Sequence, residues 1–349
     1  MAPAPSPASE FAGHLERIGE GLVLVERSMR EQLASQSEVV PALGDYVLGA
    51  GGKRIRPSLL LFSADLCGYT GARCIQIAAA VELLHTATLL HDDVVDLATL
   101  RRGRAAANAV WGNRRSVLVG DFLYARASAM IVEDGDLDVL SVFTNTIRRM
   151  AEGELLQLQR SFDPSIGESH YYEVIERKSA SLLSSACEAG SILGGVTRAE
   201  RRRLAEYGRE LGLAFQIRDD ALDYAGGAGE LGKAPLGDLR EGKVTLPLLL
   251  TLKRATAEER EGIGLVLKRA AELAWERVAR GEPAANDAPD GLDLEPVVRL
   301  VERYHGVADA MRRAADHVAR ATAAIAPFPE GPAKQALLGA AAYAATRDH

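Results

Sequence analysis

The stretch GARCIQIAAAVELLHTATLLHDDVVD, residues 71–96, constrains the chain more than any other. Its apolar residues lie on most sides of a helix instead of along one stripe, so it reads as one long helix at the centre of the fold. Such a helix needs other helices around it, and the flanking sequence supplies them. HLERIGEGLVLVERSMREQLA, residues 14–34, is amphipathic. SVLVGDFLYARASAMIVE, the run around 138–160, YYEVIERKSASLLSSACEAGSIL and RAERRRLAEYGRELGLAFQIRDDALDYA read as further helices. Ala and Leu are abundant while aromatics make up only 5%, which favours helix over sheet. No strand pattern and no internal repeat stands out. The expectation is all-α: a disordered Ala/Pro/Ser-rich tail over residues 1–10, then a single domain over 11–349. GGAGELGKAPLGDLREGK, 226–243, and GEPAANDAPDGLD, 281–293, read as loops between helices.

The central helix ends in acids. Asp92 and Asp96 are four apart and share a helix face, with Asp93 beside them. Three close carboxylates repel one another and need a cation. A solvated helix end is the bland explanation. Acids at a helix C-terminus oppose the macrodipole, however, and the helix is too apolar for a surface position. Carboxylate oxygens suit hard cations such as Mg²⁺, which commonly bridges to substrate phosphates. The pattern recurs in QIRDDALDY, 216–224, where Asp219, Asp220 and Asp223 repeat the spacing at the end of another long helix. Two such clusters facing each other across a cavity can clamp one diphosphate through metal ions. Phosphate-binding residue types lie close by. GGKRIRP, 51–57, carries Lys53 and Arg56 beside a glycine pair. RRG, 101–103, carries Arg101 and Arg102, and Lys178, Lys233 and Lys243 add further cations. Arginine offers a planar fork to phosphate oxygens and lysine a point charge. Most such residues are ordinary surface charges; clustering beside glycines and both acid motifs sets these apart.

The rest of the composition narrows the function classes. A formal net charge of −7 disfavours general nucleic-acid binding. The three cysteines, Cys67, Cys74 and Cys187, have no metal-site spacing and read as reduced thiols of a cytoplasmic protein. MAPAPSPASE lacks the basic start and apolar core of a signal peptide. No uninterrupted apolar run approaches the ~20 residues of a transmembrane segment.

GGKRIRP, HDDVVD, RRGR, GNRRSVLVGDF, AEGELLQL, FQIRDDALDY and GDLREGKVTLP, in that order, resemble the trans-isoprenyl diphosphate synthase (polyprenyl synthetase) family. The closest likeness is to its long-chain, octaprenyl-type members, and it is strong over about residues 40–250. It implies an isoprenoid-synthase helical bundle with two facing DDxxD motifs around a cavity. The implied reaction is Mg²⁺-dependent head-to-tail condensation of isopentenyl diphosphate onto an allylic diphosphate such as farnesyl or geranylgeranyl diphosphate, with three Mg²⁺ per site. Under this resemblance Asp92, Asp96 and Asp219 are metal ligands, supported by Asp93, Asp220 and Asp223. Arg101, Lys178 and Lys233 hold the allylic diphosphate, with Lys243 and Ser179 nearby. Lys53, Arg56, His85 and Arg102 form the isopentenyl diphosphate site, and Gln216 faces the allylic cation. Ser179 replaces the usual Thr and keeps its hydroxyl. Arg218 stands where an aliphatic residue is usual and either forms a salt bridge outside the pocket or perturbs the second metal site.

Product length turns on the residues below Asp92. An extended isoprene unit is about one helical turn long, so a growing tail passes one residue layer per unit. Ala87 and Thr88 are small where short-chain members carry aromatics, and Leu84 and Ala80 lie below them. This favours a product of roughly C30 to C50 over a farnesyl or geranylgeranyl product. Two intact acidic motifs argue against a terpene cyclase and against a non-catalytic partner subunit. The resemblance also implies a homodimer.

Overall fold

The computed structural model describes residues 6–101, 103–225, 236–280 and 292–346. The described helices are α1 (Pro7–Arg17), α2 (Gly19–Glu31), α3 (Val39–Leu48), α4 (Ile55–Leu66), α5 (Arg73–Val95), α6 (Ala107–Trp111), α7 (Asn113–Asp134), α8 (Leu137–Gln159) and α9 (Glu168–Ile175). A π-helical turn, Glu176–Ala180, leads from α9 into α10 (Ser181–Leu193). There follow α11 (Arg198–Ala225), α12 (Gly237–Arg240), α13 (Leu246–Arg254), α14 (Ala257–Arg280), α15 (Glu295–Arg303), α16 (Gly306–Ile325) and α17 (Pro332–Thr346). The fold is all-α, as the sequence predicts.

The central position of α5 follows from its composition. Twelve of its 23 residues are buried, around its whole circumference, and it packs against α2, α4, α7 and α10. It is long and apolar enough to cross a bilayer by composition, yet most of that apolar surface is covered by the protein's own helices. Asp96 caps it, donating its backbone N–H to the carbonyls of Asp92 and Val94. The second acid-bearing helix, α11, is fixed at its start by a capping box. There the Glu200 carboxylate accepts from the Thr197 N–H at 2.9 Å, and the Glu200 N–H donates to Thr197 Oγ1 at 3.3 Å. The helix packs against both α10 and α16.

Two expectations need correction. The segment taken as a tail becomes helix at Pro7. Ser6 caps α1 by accepting from the Ser9 N–H, and Pro7 starts the helix with its φ already set. Phe11 is buried, stacked on Tyr343 of α17. Residues 1–5 lie outside the described residues. A short antiparallel ribbon, β1 (Leu100–Arg101) with β2 (Arg104–Ala105), follows α5. LRRGRA has no alternating pattern to announce it; the turn comes from Gly103, at φ +72°.

The π turn is the local irregularity that matters most for function. A π turn widens the backbone and re-aims the side chains it carries, and such turns are frequent at functional sites. Ion pairs hold this one on both sides. Glu176 binds Arg149 of α8 at 2.7 Å and Arg209 of α11 at 3.2 Å, and Arg177 binds Glu152 of α8 at 2.7 Å. Glycines let the neighbours close in. A Cβ on Gly153 of α8 would lie 2.7 Å from the Lys178 backbone nitrogen, and one on Gly212 of α11 would lie 2.5 Å from the Ala180 Cα. Gly153→Ala is therefore expected to destabilise the chain by about 1–3 kcal/mol in denaturant unfolding. An unchanged midpoint would show that the close approach of α8 is dispensable.

Candidate active site

A cavity of about 830 Å³ opens between α4, α5, α8, α10 and α11. A second, more polar chamber of about 360 Å³ adjoins it. Asp92, Arg101, Lys178, Ser179 and Gln216 line both, so the residues expected around the allylic diphosphate stand at the junction. The larger chamber adds Asp219 with Lys53, Arg56 and His85, the residues expected at the isopentenyl diphosphate site. The smaller adds Asp96, Asp220, Asp223 and Lys243. Arg102 and Lys233 lie outside the described residues.

Each acid has a distinct setting, because a helix turns 100° per residue. Asp92 and Asp96 project into the chambers. Asp93, one position round, is buried and accepts from Arg101 Nε at 2.6 Å; it lines neither chamber. Its carboxylate holds the ribbon and aims Arg101, so the supporting metal contact expected of it is not what the geometry displays. Asp220 is likewise buried, accepting from the Tyr171 hydroxyl at 2.6 Å and from Gln216 Nε2 at 2.8 Å. Burial, reinforced by Asp238, pushes its carboxyl up to about 7. Asp223 accepts from the N–H groups of Gly237 and Asp238 at 3.1 Å each, which ties the first turn of α12 to the end of α11.

The cations are already matched to acids. Lys243 lies 3.1 Å from Asp96 and 2.6 Å from Glu241. Burial pulls its ammonium down, but Glu241 and Asp96 together outweigh this and hold it well above the ordinary lysine range. Lys178, on the π turn, lies 2.5 Å from Glu154. Gln216 is held from both ends: its carbonyl accepts from Ser179 Oγ at 2.7 Å while its amide donates to Asp220.

In GGKRIRP the three cations divide their work. Arg54, in the left-handed region at φ +48°, turns inward to bind Glu82 at 3.2 Å, Glu26 at 3.0 Å and the Leu48 carbonyl at 3.0 Å. That anchor leaves Lys53 and Arg56 on the cavity wall. Arg218 points away from the cavity, donating to the backbone carbonyl of Ala345 in α17.

Three side chains escaped the sequence reading. Glu154 lines the cavity between Asp92 and Lys178; it sits inside AEGELLQL, but one acid on a helix carries no pattern of its own. Tyr171 and Tyr343 come from helices remote in sequence from the acids and cations they touch.

The tunnel expectation needs adjustment. Thr88 and Leu84 line the larger chamber, with Tyr124, Ile147, Met150 and Leu182 opposite. Ala87 and Ala80 are fully packed and lie off its wall. Positions 84 and 88 share a helix face, while 87 lies 100° round from 88 and packs into the core.

A family model of polyprenyl synthetases matches residues 37–278. The chain is 40% identical to the octaprenyl diphosphate synthase of Escherichia coli, covering 96% of this chain and 99% of that protein. The chain belongs to the polyprenyl synthetase family. A nonaprenyl diphosphate synthase of Rhodobacter capsulatus, described as specific for geranyl diphosphate, is 37% identical over 93% of this chain and 94% of its own. The crystal structure of a polyprenyl synthase from Caulobacter crescentus, complexed with calcium and isoprenyl diphosphate, superposes with a TM-score of 0.85. It is 39% identical, covering 97% of this chain and 98% of that one. This polyprenyl synthetase is thus an enzyme, a prenyltransferase, and its relatives favour the long-chain all-trans polyprenyl diphosphate synthase over the non-catalytic subunit.

The setting of Asp92 predicts a pH effect. Burial raises its carboxyl from 3.8 to about 6; Lys178 opposes the rise and Glu154 adds to it. The folded chain holds this proton more tightly than the unfolded one. The stabilisation is therefore complete at low pH and lost as pH rises through about 6. Asp92→Asn is expected to raise the melting temperature of the metal-free enzyme at pH 8 by about 2–4 °C, with a shift only about a third as large at pH 4.5. Equal shifts at both values would remove burial of the charge as the cause.

Proposed function

We propose that this polyprenyl synthetase extends an allylic diphosphate, such as farnesyl or geranylgeranyl diphosphate, with isopentenyl diphosphate to an all-trans product of roughly C30 to C50. The observation that carries the proposal is the single cavity in which the acid-bearing ends of α5 and α11, phosphate-binding cations and an apolar wall meet. Enzymes of this family are magnesium-dependent, and the donor set fits Mg²⁺: Asp92, Asp96 and Asp219 offer hard oxygens, with Asp220 and Asp223 close behind. Desolvation of Asp92 and the crowding of Asp92, Asp96 and Glu154 leave negative charge that a dication would satisfy. We assign three ions to the site, as the resemblance implies. Bound Mg²⁺ would add Lewis-acid charge at the leaving diphosphate.

The chain's own groups do the rest. Arg101 and Lys178 reach the junction of the chambers, where they can donate to the allylic diphosphate as its C–O bond breaks and negative charge develops. The Gln216 carbonyl and Ser179 hydroxyl present oxygen dipoles to the allylic cation. Lys53, Arg56 and His85 hold isopentenyl diphosphate so that its double bond attacks. Attack by the terminal carbon leaves a tertiary cation on the isopentenyl unit; the adjacent carbon then gives its proton to the departing pyrophosphate and the double bond reforms there, so no side chain is required as base. Leu84, Ile147, Met150, Leu182 and Phe215 exclude the water that would quench the cation.

Exposed apolar residues on α7 (Leu118, Tyr124, Val132) and α8 (Leu155, Leu158) are what a second copy would cover, which supports a homodimer. We place the enzyme in the cytoplasm as one domain, handing its product to a membrane for use such as a quinone side chain.

Incubation with Mg²⁺, farnesyl diphosphate and excess isopentenyl diphosphate, with products sized by mass spectrometry, should yield a ladder ending at C30 or beyond. A stop at C15 or C20 would overturn the long-chain reading. Thr88→Phe places a ring on the cavity wall above Leu84 and should shorten the product by at least one isoprene unit, read in the same assay.

A further inference from the structure

Tyr343 lies six residues from the end of the given sequence and outside every phosphate-binding motif, yet it borders the larger chamber beside Lys53. The Lys53 ammonium donates to its hydroxyl and also sits over its ring, 4.6 Å from the centroid. The ring cannot drift. It is buried, stacked on Phe11 of α1 at 5.4 Å and tilted against Phe215 of α11 at 6.2 Å. Lys53 by contrast follows Gly51 and Gly52, both at positive φ, and is solvent-exposed. Arg54 anchors the loop one residue on, so the backbone is pinned but the lysine side chain is not. A flexible lysine therefore leans on a rigid tyrosine at the cavity's edge.

The bonding leaves two capacities open. An ammonium has three donors, and the phenol takes one. The phenol accepts from Lys53, and among the described residues its own proton has no acceptor. A phosphate oxygen placed against Lys53 would meet both. We propose that Tyr343 is an isopentenyl diphosphate-binding residue: its ring and hydroxyl set the Lys53 ammonium in place, and its O–H donates to the diphosphate that Lys53 receives. The inference rests on the reading of Lys53 as a ligand of that substrate.

The test is a steady-state comparison of the full-length enzyme with Tyr343→Phe, which keeps the buried ring, and with Lys53→Ala and the double variant. Tyr343→Phe should raise KM for isopentenyl diphosphate about tenfold, the scale of a lost hydrogen bond to a charged group. KM for farnesyl diphosphate should change less than about twofold, because Asp92, Arg101 and Lys178 are untouched. In the double variant the two losses should fall well short of additive, since both act on one ammonium and one phosphate. An unchanged KM for isopentenyl diphosphate, an equal rise in both KM values, or full additivity overturns the role of Tyr343 and leaves the reaction standing. Failure of the unaltered enzyme to condense the two substrates overturns the underlying reading instead.

Discussion

The structure turns on the cost of collecting carboxylates where water is scarce. Asp92 and Asp96 end an apolar helix, Asp219 and its neighbours end a second, and Glu154 stands between them. Left alone, these charges would push the helix ends apart. The chain answers with cations from distant segments: Lys178 on the π turn against Glu154, Lys243 between Asp96 and Glu241, Arg101 against Asp93. Every one of these partners is also a phosphate-binding residue type. The pairs on Asp96 and Glu154 are thus ones that a diphosphate and its metal ions would take over, while the Arg101–Asp93 pair belongs to the frame.

Much of the remaining architecture serves to aim those side chains. The central helix is rigid because it is buried on all sides, which fixes the acid motif at its end. The π turn displaces Lys178 and Ser179 from a regular helical path, and Gly153 and Gly212 allow α8 and α11 to close on it. Arg54, spent inward on Glu82 and Glu26, leaves its neighbours Lys53 and Arg56 facing outward to the cavity. Residues that look interchangeable in sequence have separate settings: Asp93 and Arg54 build the frame, while Asp92 and Asp96, and Lys53 and Arg56, line the chambers.

The mixed character of the cavity follows from the same placement. Its polar end is formed where helices terminate and backbone and acids meet solvent. Its apolar end lies alongside helix middles, where Leu84, Ile147 and Met150 project. A substrate with a charged head and a growing hydrocarbon tail matches that gradient. The wall near Tyr124 reaches the partly exposed face of α7.

Residue types and spacing alone determined the helical class, the central position of residues 73–95, the two acid motifs and most of the cations around them. These signals are local: helical periodicity places side chains on faces, and repeated DDxxD spacing places acids on one face. Only the tertiary structure decided which of those acids face the chambers, since a rotation of 100° separates Asp92 from the buried Asp93. It also decided that Thr88 and Leu84, not Ala87 and Ala80, form the wall, and that α1 is helix from Pro7 because Phe11 finds Tyr343. Glu154, Tyr171 and Tyr343 had no sequence signal, for one physical reason. Their roles exist only in contacts between segments brought together by packing, as when Tyr343 meets a lysine 290 residues earlier in the chain.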